Sequence, residues 1–169
     1  MPETLFKAAD LAVHDAAPVA RWLLHADPED AATVAAALGL DLPAAMLRAG
    51  EAGGWHALHL APDEWLLVGA DGTNLPDARN ELPPLSLVEV SDRTVAVEIA
   101  GPAAATLLAA GCPLDLAEAA FPDGACSRTV FGKAPVMLWR RGATWWLECA
   151  RSYSDYVALL LRTAAEDPR

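Results

Sequence analysis

Two adjacent carboxylates, Asp63 and Glu64, stand in the segment A-P-D-E-W-L-L-V-G-A at residues 61–70. Paired carboxylates carry out acid/base chemistry when their surroundings separate the two pKa values, which requires at least one group to be desolvated in a cleft. Adjacent residues of a strand point to opposite faces, so these two are not expected to share a site. Pro62 fixes φ and Asp63 can bond the nearby backbone, as in turns. We therefore predict the tip of a hairpin and not a catalytic pair.

The histidines and cysteines show no spacing typical of a metal site or a nucleophile. His56 and His59 are three apart in a predicted strand, so they point to opposite faces and cannot chelate one ion together. Cys112, Cys126 and Cys149 are widely spaced and form no C-x-x-C motif. No G-x-S-x-G element is present, and G-P-A-A-A-T-L-L-A-A-G lacks the glycine spacing of a phosphate loop. The sequence predicts no catalytic residue, metal site or cofactor site in this chain.

Charge and hydropathy limit the class of partner. The 169 residues are 54% hydrophobic with a net charge of -11, which argues against a nucleic-acid or anionic-membrane partner. No apolar run approaches the ~20 residues of a membrane helix. The acidic N-terminal sequence resembles no signal peptide and the cysteine count is odd, so a cytoplasmic location is expected.

The charge is distributed unevenly along the chain. Residues 1–92 carry 4 Lys and Arg against 15 Asp and Glu, whereas residues 93–169 carry 8 against 8. The two halves are therefore suited to different partners, although drift in a solvated surface explains the imbalance equally well.

The elements that must position these residues follow from hydrophobic periodicity and turn residues. Residues 1–17 are weakly periodic and predict an N-terminal arm, and residues 18–169 predict a single domain. This domain consists of two successive β-α-β-β-type halves, which indicates an α+β fold of antiparallel sheet with helices packed on it. Predicted strands cover 19–25, 55–60, 64–70, 85–92, 94–101, 127–132, 135–140 and 144–149; predicted helices cover 27–39, 73–82, 102–111 and 153–165, and 41–54 is a predicted loop.

Tryptophan and arginine suggest an interaction surface in the second half. Trp145 and Trp146 are adjacent in a predicted strand, so one side chain should point inward and the other outward. An outward tryptophan beside Arg140, Arg141 and Arg151 would suit a protein–protein interface, because both residue types are enriched in binding hot spots. The alternative is that both rings are covered by neighbouring helices.

Three stretches resemble one family. L-A-P-D-E-W-L-L-V at 60–68 is similar to the L-G-P-D-E-W-L-L signature of the gamma subunit of heterotetrameric sarcosine oxidase. Residues 88–116 resemble its central segment, in which a strand pair leads to G-P-x-A and then G-C-P-x-D-L. R-S-Y-S-D-Y-V at 151–157 resembles its R-S-[FY]-A-x-Y helix start. Together they cover most of the chain from about residue 50 onward.

The resemblance implies both a fold and an assembly. The fold is that of the folate-binding domain of the glycine-cleavage T-protein. The assembly contains alpha, beta and delta subunits and oxidises sarcosine to glycine, releasing hydrogen peroxide and passing a one-carbon unit to tetrahydrofolate. In this family the flavins, NAD and tetrahydrofolate belong to the larger subunits, so the gamma chain is expected to be a non-catalytic assembly subunit in direct contact with alpha.

Asp115 carries the alternative function. It stands in D-L-A-E, similar to the D-I-A-E-L context in which a T-protein aspartate serves the folate-dependent chemistry. The chain departs from the T-protein afterwards, with F-G-K-A-P-V-M-L-W in place of a glycine-rich, doubly acidic hairpin. The competing hypothesis is a stand-alone folate-binding protein that uses Asp115. A third is a homologue that serves an unrelated assembly.

Overall fold

A computed structural model describes residues 4–8, 10–75 and 82–166. The described part contains eleven strands and three α-helices. The strands are β1 Thr4–Ala8, β2 Leu11–Asp15, β3 Val19–Ala26, β4 Ala49–Ala52, β5 Trp55–Ala61, β6 Glu64–Ala70, β7 Leu85–Glu89, β8 Thr94–Ala100, β9 Cys126–Phe131, β10 Ala134–Arg141 and β11 Thr144–Ala150. The helices are α1 Ala31–Leu38, α2 Ala104–Ala109 and α3 Ser154–Glu166, and a 3₁₀ turn, Arg151–Tyr153, precedes α3.

The chain forms two compact units, one of residues 18–91 and one of residues 1–17 with 92–169. This division differs from the expected arm at 1–17 and single domain at 18–169. The N-terminal segment does not stand apart, because β2 pairs with β8 along its length and buries Leu11 and Val13. Short strands with weak periodicity are stabilised here by long-range pairing, which local sequence does not reveal.

The unit of residues 18–91 is a five-stranded antiparallel sheet in the order β4-β5-β6-β3-β7. One face packs against α1, so that Val34 and Leu38 share a core with Leu24, Trp55 and Trp65. The predicted hairpin is confirmed as β5 and β6. It supplies the centre of the sheet because nearly every residue of both strands except those at the tip is buried.

Two details of this unit differ from the sequence-based expectation. The helix begins at Ala31 instead of Asp27, because the Asp27 carboxylate accepts the Glu29 backbone N–H at 2.9 Å in a local turn. The helix ends at Gly39, as predicted. The predicted loop at 41–54 contains β4, and most of the helix predicted at 73–82 lies outside the described residues.

The second unit is a six-stranded antiparallel sheet in the order β1-β2-β8-β11-β10-β9. Helices α2 and α3 pack on one face, where they share a core with β8, β10 and β11. Helical spacing in the sequence puts Tyr156, Leu159 and Leu160 on one apolar stripe of α3, but Val157 and Leu161 occupy the core instead and Leu159 is 65% exposed. Apolar residues surround more than half of α3, so periodicity does not select the buried stripe.

The architecture confirms the predicted α+β class, with each of the two compact units building its own antiparallel sheet. Among the described helices, none is long and apolar enough to cross a membrane.

The turn after β8 generates a stability prediction. Gly101 has φ +113, and a Cβ there would collide with the backbone carbonyl oxygen of Asp10. We expect Gly101→Ala to lower the free energy of unfolding by roughly 2 kcal/mol or more, through both strain and displacement of the chain before β2. Urea denaturation followed by tryptophan fluorescence measures the change.

Gly142→Ala is the matched control. Gly142 also has positive φ, at +60, but nothing lies within 4 Å of the position that a Cβ would take, so only the conformational cost of about 1 kcal/mol applies. Equal losses in the two variants would contradict the proposed clash with Asp10.

Candidate functional site

The paired carboxylates lie at one end of the β5–β6 hairpin, beside a histidine of the neighbouring strand. Glu64 is the first residue of β6 and faces His25 across the β3–β6 pair. His25 Nε2 lies 3.4 Å from Glu64 Oε2, and His25 Nδ1 lies 3.8 Å from Asp63 Oδ2. The predicted turn is confirmed, but the expectation that the carboxylates stay apart is wrong. Strand alternation does not apply to Asp63 because it lies in the turn.

Solvent exposure limits what this cluster can do. The side chains of Asp63 and His25 are 63% and 41% exposed, whereas Glu64 is 12% exposed. Water screens the contact between Asp63 and His25, so their ionic attraction is worth at most about 1 kcal/mol when His25 is protonated. The arrangement is an ion cluster at the protein surface in which Glu64 alone is largely shielded from water. His25 could not be found from the sequence, since 38 residues in chain numbering separate it from Asp63 and only strand pairing joins them.

The other two central histidines are separated, as predicted. His59 is 4% exposed and stacks on Trp65 with ring centroids 4.5 Å apart. Its Nε2 lies 3.4 Å from the Pro62 carbonyl oxygen, which can only accept, so Nε2 carries the proton. His59 Nδ1 is buried without a hydrogen-bond partner in the described part of the chain. His56 has a different partner, since its Nδ1 lies 3.7 Å from Glu51 Oε2 on the neighbouring strand β4.

These side chains do not assemble a metal centre. Within residues 4–8, 10–75 and 82–166, no group of three or more His, Cys, Asp or Glu residues is placed to hold a metal ion.

Asp115 closes its own loop. The side chain is exposed, and Oδ1 accepts a hydrogen bond from the Ala117 backbone N–H at 2.9 Å. This two-residue return is the local bonding that aspartate commonly makes in turns. The contact gives Asp115 a structural role in the segment between α2 and β9.

The two adjacent tryptophans lie on opposite faces of β11, as predicted, but neither exposes its ring. Trp145 is 4% exposed and stacks on Phe121 at 5.4 Å. Trp146 is 2% exposed and lies 6.3 Å from Trp139. Its indole N–H donates to Glu148 Oε2 at 3.1 Å. The expectation of an exposed tryptophan is therefore wrong, because both faces of this strand are buried.

The three arginines make contacts inside their unit. Arg140 lies over the Trp145 ring at 5.4 Å and donates to the Phe121 carbonyl at 2.9 Å. Arg141 lies over Trp139 at 4.7 Å and pairs with Glu98 at 3.3 Å.

Arg151 is anchored to the turn before β8 but is otherwise exposed. Its Nε donates to the Asp92 carbonyl at 3.1 Å. Arg140 and Arg141 thus position aromatic rings, whereas Arg151 alone of the three presents most of its side chain to solvent.

The large apolar side chains that are exposed lie elsewhere. The described residues with this property are Met46, Leu47, Val88, Val130, Tyr153, Tyr156 and Leu159. They occur in the loop before β4, on the edge strands β7 and β9, and on the outer face of α3 and the turn that precedes it. The sequence analysis did not identify Met46 and Leu47, in the loop before β4, as exposed apolar residues.

The cysteine thiols are buried, and one has an altered acidity. Burial, with a smaller contribution from the adjacent Glu148 carboxylate, raises the pKa of Cys149 from 9.0 to about 11. The Glu148 carboxylate is held by the Thr94 hydroxyl, which donates to it at 2.7 Å. Cys149 therefore stays protonated at neutral pH, as expected of a core residue and not of a nucleophile.

Comparison with known sequences places this arrangement in context. Residues 24–167 match the model of the sarcosine oxidase gamma subunit family. A sarcosine oxidase subunit gamma from Arthrobacter sp is 35% identical over 126 residues, which are 72% of this chain and 62% of that protein. The corresponding subunit of Corynebacterium sp. strain U-96 is 35% identical over 68% of this chain and 58% of its own length. The matched part thus spans less than two thirds of these curated relatives.

Solved structures show the same relationship. A chain of the heterotetrameric sarcosine oxidase from Corynebacterium sp. U-96, in complex with pyrrole 2-carboxylate, is 29% identical with a TM-score of 0.86, covering 96% of this chain and 88% of that one. The glycine cleavage system aminomethyltransferase T from Bartonella henselae is 14% identical with a TM-score of 0.62, covering 90% of this chain and 45% of that one. The second match shows a shared fold and confirms the expected T-protein-like architecture.

The raised pKa of Cys149 predicts a loss of stability in alkali. A thiol that holds its proton more tightly in the folded than in the unfolded chain loses that advantage as pH rises from 9.0 towards about 11. Between pH ~8 and ~10.5 we expect the free energy of unfolding of wild type to fall by about 2 kcal/mol more than that of Cys149→Ala. Urea denaturation at the two pH values measures both losses.

Cys112→Ala, which also removes a buried thiol, is the control and should retain the wild-type loss. If Cys149→Ala declined as steeply as wild type, Cys149 would not be the responsible group.

Proposed function

The chain belongs to the sarcosine oxidase gamma subunit family, and from this premise we propose that it is a non-catalytic assembly subunit of a heterotetrameric sarcosine oxidase. The observation that carries the proposal is the fit of 96% of the chain to one chain of such a complex at a TM-score of 0.86. A shared fold over nearly the full length supports a shared place in an assembly more strongly than the motifs do. Its partners would be alpha, beta and delta subunits, with alpha in direct contact.

The use of the candidate catalytic carboxylates supports a non-catalytic role. Asp115 bonds its own loop, and Asp63 and Glu64 flank His25 at the surface. Each of these groups serves a local structural contact. We propose that the partner subunits carry out the oxidative demethylation of sarcosine to glycine, with hydrogen peroxide formation and one-carbon transfer to tetrahydrofolate. The flavins, NAD and tetrahydrofolate would be bound by those subunits.

The buried tryptophans change the expected composition of the interface. Trp145 and Trp146 cannot contact a partner while their rings lie inside the folded chain, and Arg140 and Arg141 are engaged with aromatic rings. Arg151 remains a candidate contact because it is largely exposed. The exposed apolar side chains are better anchors than the tryptophans, since removing them from water on binding would be favourable.

Co-expression tests the proposal directly. We expect this chain to co-purify in equal amounts with the alpha, beta and delta subunits when alpha carries an affinity tag. Omission of the chain should reduce the yield of the assembled oxidase, because the surface that it covers on its partners would be left exposed. An untagged preparation is the control for non-specific retention. A chain that never elutes with its partners would refute the assembly role.

Titration with a reduced folate separates this function from the alternative based on Asp115. We expect the isolated chain to give no heat of binding that depends on Asp115, because that carboxylate is committed to the Ala117 backbone N–H. Isothermal titration calorimetry of wild type and Asp115→Ala measures it. Tight binding abolished by the substitution would instead support a folate-binding protein.

A further inference from the structure

The outer face of α3 carries charged side chains around one leucine. The residues are Asp155, Leu159, Arg162 and Glu166, and we refer to them as the α3 stripe. At about 100° per residue, they fall within about 60° of one another around the helix axis, opposite the buried Val157 and Leu161. All four are exposed, and Leu159, at 65%, is the most exposed large apolar side chain among the described residues. The α3 stripe therefore faces directly away from the core.

The charges of the α3 stripe are not paired within their own helix. Asp155 and Arg162 are seven residues apart, beyond the three or four residues at which side chains of one helix meet. Neither has an ion-pair partner in the part of the chain that the structure describes. Arg162 precedes Glu166 by four residues, the weaker order for a helical ion pair, and Glu166 ends the helix, where the dipole disfavours a carboxylate. These charges are therefore available to a second molecule.

The order of the charges makes the α3 stripe complementary to itself. Consider two copies of α3 that lie antiparallel about a two-fold axis passing between Ala158 and Leu159. Asp155 of each copy is then level with Arg162 of the other, because both lie the same number of residues from the axis. A two-fold contact requires this property, since residue i must contact j while j contacts i. A partner of different sequence would not require it, so the pattern favours a second copy of this chain.

A second pair of charges follows the same symmetry. The axis places Glu166 of each copy nearly level with Arg151 of the other, in the 3₁₀ turn that precedes α3. Arg151 bonds the Asp92 carbonyl through Nε, but its side chain is still 61% exposed. The Arg151 guanidinium can therefore reach the carboxylate that the helix dipole of the other copy disfavours.

The centre of the antiparallel pair suits an apolar contact. The axis places Leu159 of each copy over Ala158 of the other, so that a large side chain meets a small one. Ala158 is half-buried, and its methyl group allows the two helices to approach closely. Removing Leu159 from water on association is favourable. The charge pairs lie on both sides of this contact, which is the usual arrangement of an apolar centre with a polar rim.

The local charge permits self-association although the whole chain is acidic. A net charge of -11 makes most faces of two copies repel each other. At the proposed contact each copy contributes two acidic and two basic side chains, which are Asp155, Glu166, Arg151 and Arg162. Their charges sum to zero, so two copies can meet here without net repulsion.

We propose that two copies of this chain associate through the α3 stripe, antiparallel and about a two-fold axis between Ala158 and Leu159. Asp155 of each copy pairs with Arg162 of the other. The contact goes beyond the proposed function and does not depend on it, because it needs no other subunit. Since α3 has 13 residues and is about 20 Å long, one helix pair buries less than ~1,200 Å², an area typical of weak and reversible complexes.

Sedimentation equilibrium of the isolated full-length chain tests the association. We expect the mass of a dimer at ~500 µM and that of a monomer at ~5 µM, as for a weak interface. Leu159→Ser should raise the dissociation constant roughly tenfold or more, because Leu159 lies at the centre. Val88→Ser is the control, since Val88 is 52% exposed but lies on β7, and it should associate like wild type. A wild-type chain that stays monomeric at ~500 µM would overturn the inference.

Charge reversal tests the two-fold pairing itself. Asp155→Arg and Arg162→Asp should each raise the dissociation constant roughly tenfold or more, because each variant brings like charges together twice in its dimer. Glu118→Arg is the matched control, since it reverses an exposed carboxylate of the same unit outside the α3 stripe and should associate like wild type. Thermal unfolding should show that all variants are folded.

Mixing the two single variants gives the decisive result. In an equal mixture of Asp155→Arg and Arg162→Asp, a dimer with one copy of each has opposite charges at both pairs, so association should return to within about threefold of wild type. Neither a structural role of these residues nor a different docking surface would produce this recovery. A mixture that associates no better than the separate variants would refute the antiparallel contact, whatever the result of co-purification with the other subunits.

Discussion

Trp65 is the side chain on which the unit of residues 18–91 depends. Its ring is 1% exposed and shares the core beneath α1 with Val34 and Leu38. The same ring stacks on His59, and its N–H reaches the Pro43 carbonyl. One residue therefore joins helix, hairpin and loop, because an indole offers a large apolar surface together with one polar donor. The indole N–H thereby ties the segment before β4 to the hairpin.

The other unit depends on β8 in a comparable way. This strand pairs with β2 on one side and β11 on the other, so it joins the first residues of the chain to the last strand of the sheet. Both tryptophans of β11, the strand next to β8, are buried, one against Phe121 and the other beside Glu148. Arg140 and Arg141 lie over aromatic rings of the same region. Residue types typical of interfaces thus stabilise the fold of this unit.

A buried histidine of the β5–β6 hairpin joins the hairpin to the segment before β4. His59 Nδ1 has no hydrogen-bond partner in the described structure, although a buried polar atom without one costs stability. The His59 backbone carries both hydrogen bonds that fix Leu47 and Arg48. Two features here therefore lower stability: the unpaired imidazole nitrogen of His59 and the positive φ of Leu47, which is 61°.

The sequence alone determined the α+β class, the hairpin of β5 and β6, the opposite orientations of His56 and His59, and the family of the chain. These features depend on local periodicity, turn residues and contiguous motifs. Tertiary structure alone decided that residues 4–15 contribute two strands, that His25 lies beside Asp63 and Glu64, and that Trp145 and Trp146 are both buried. The reason is physical: strand pairing joins residues distant in the chain, and burial depends on what packs against each face. Neither is encoded in a local pattern.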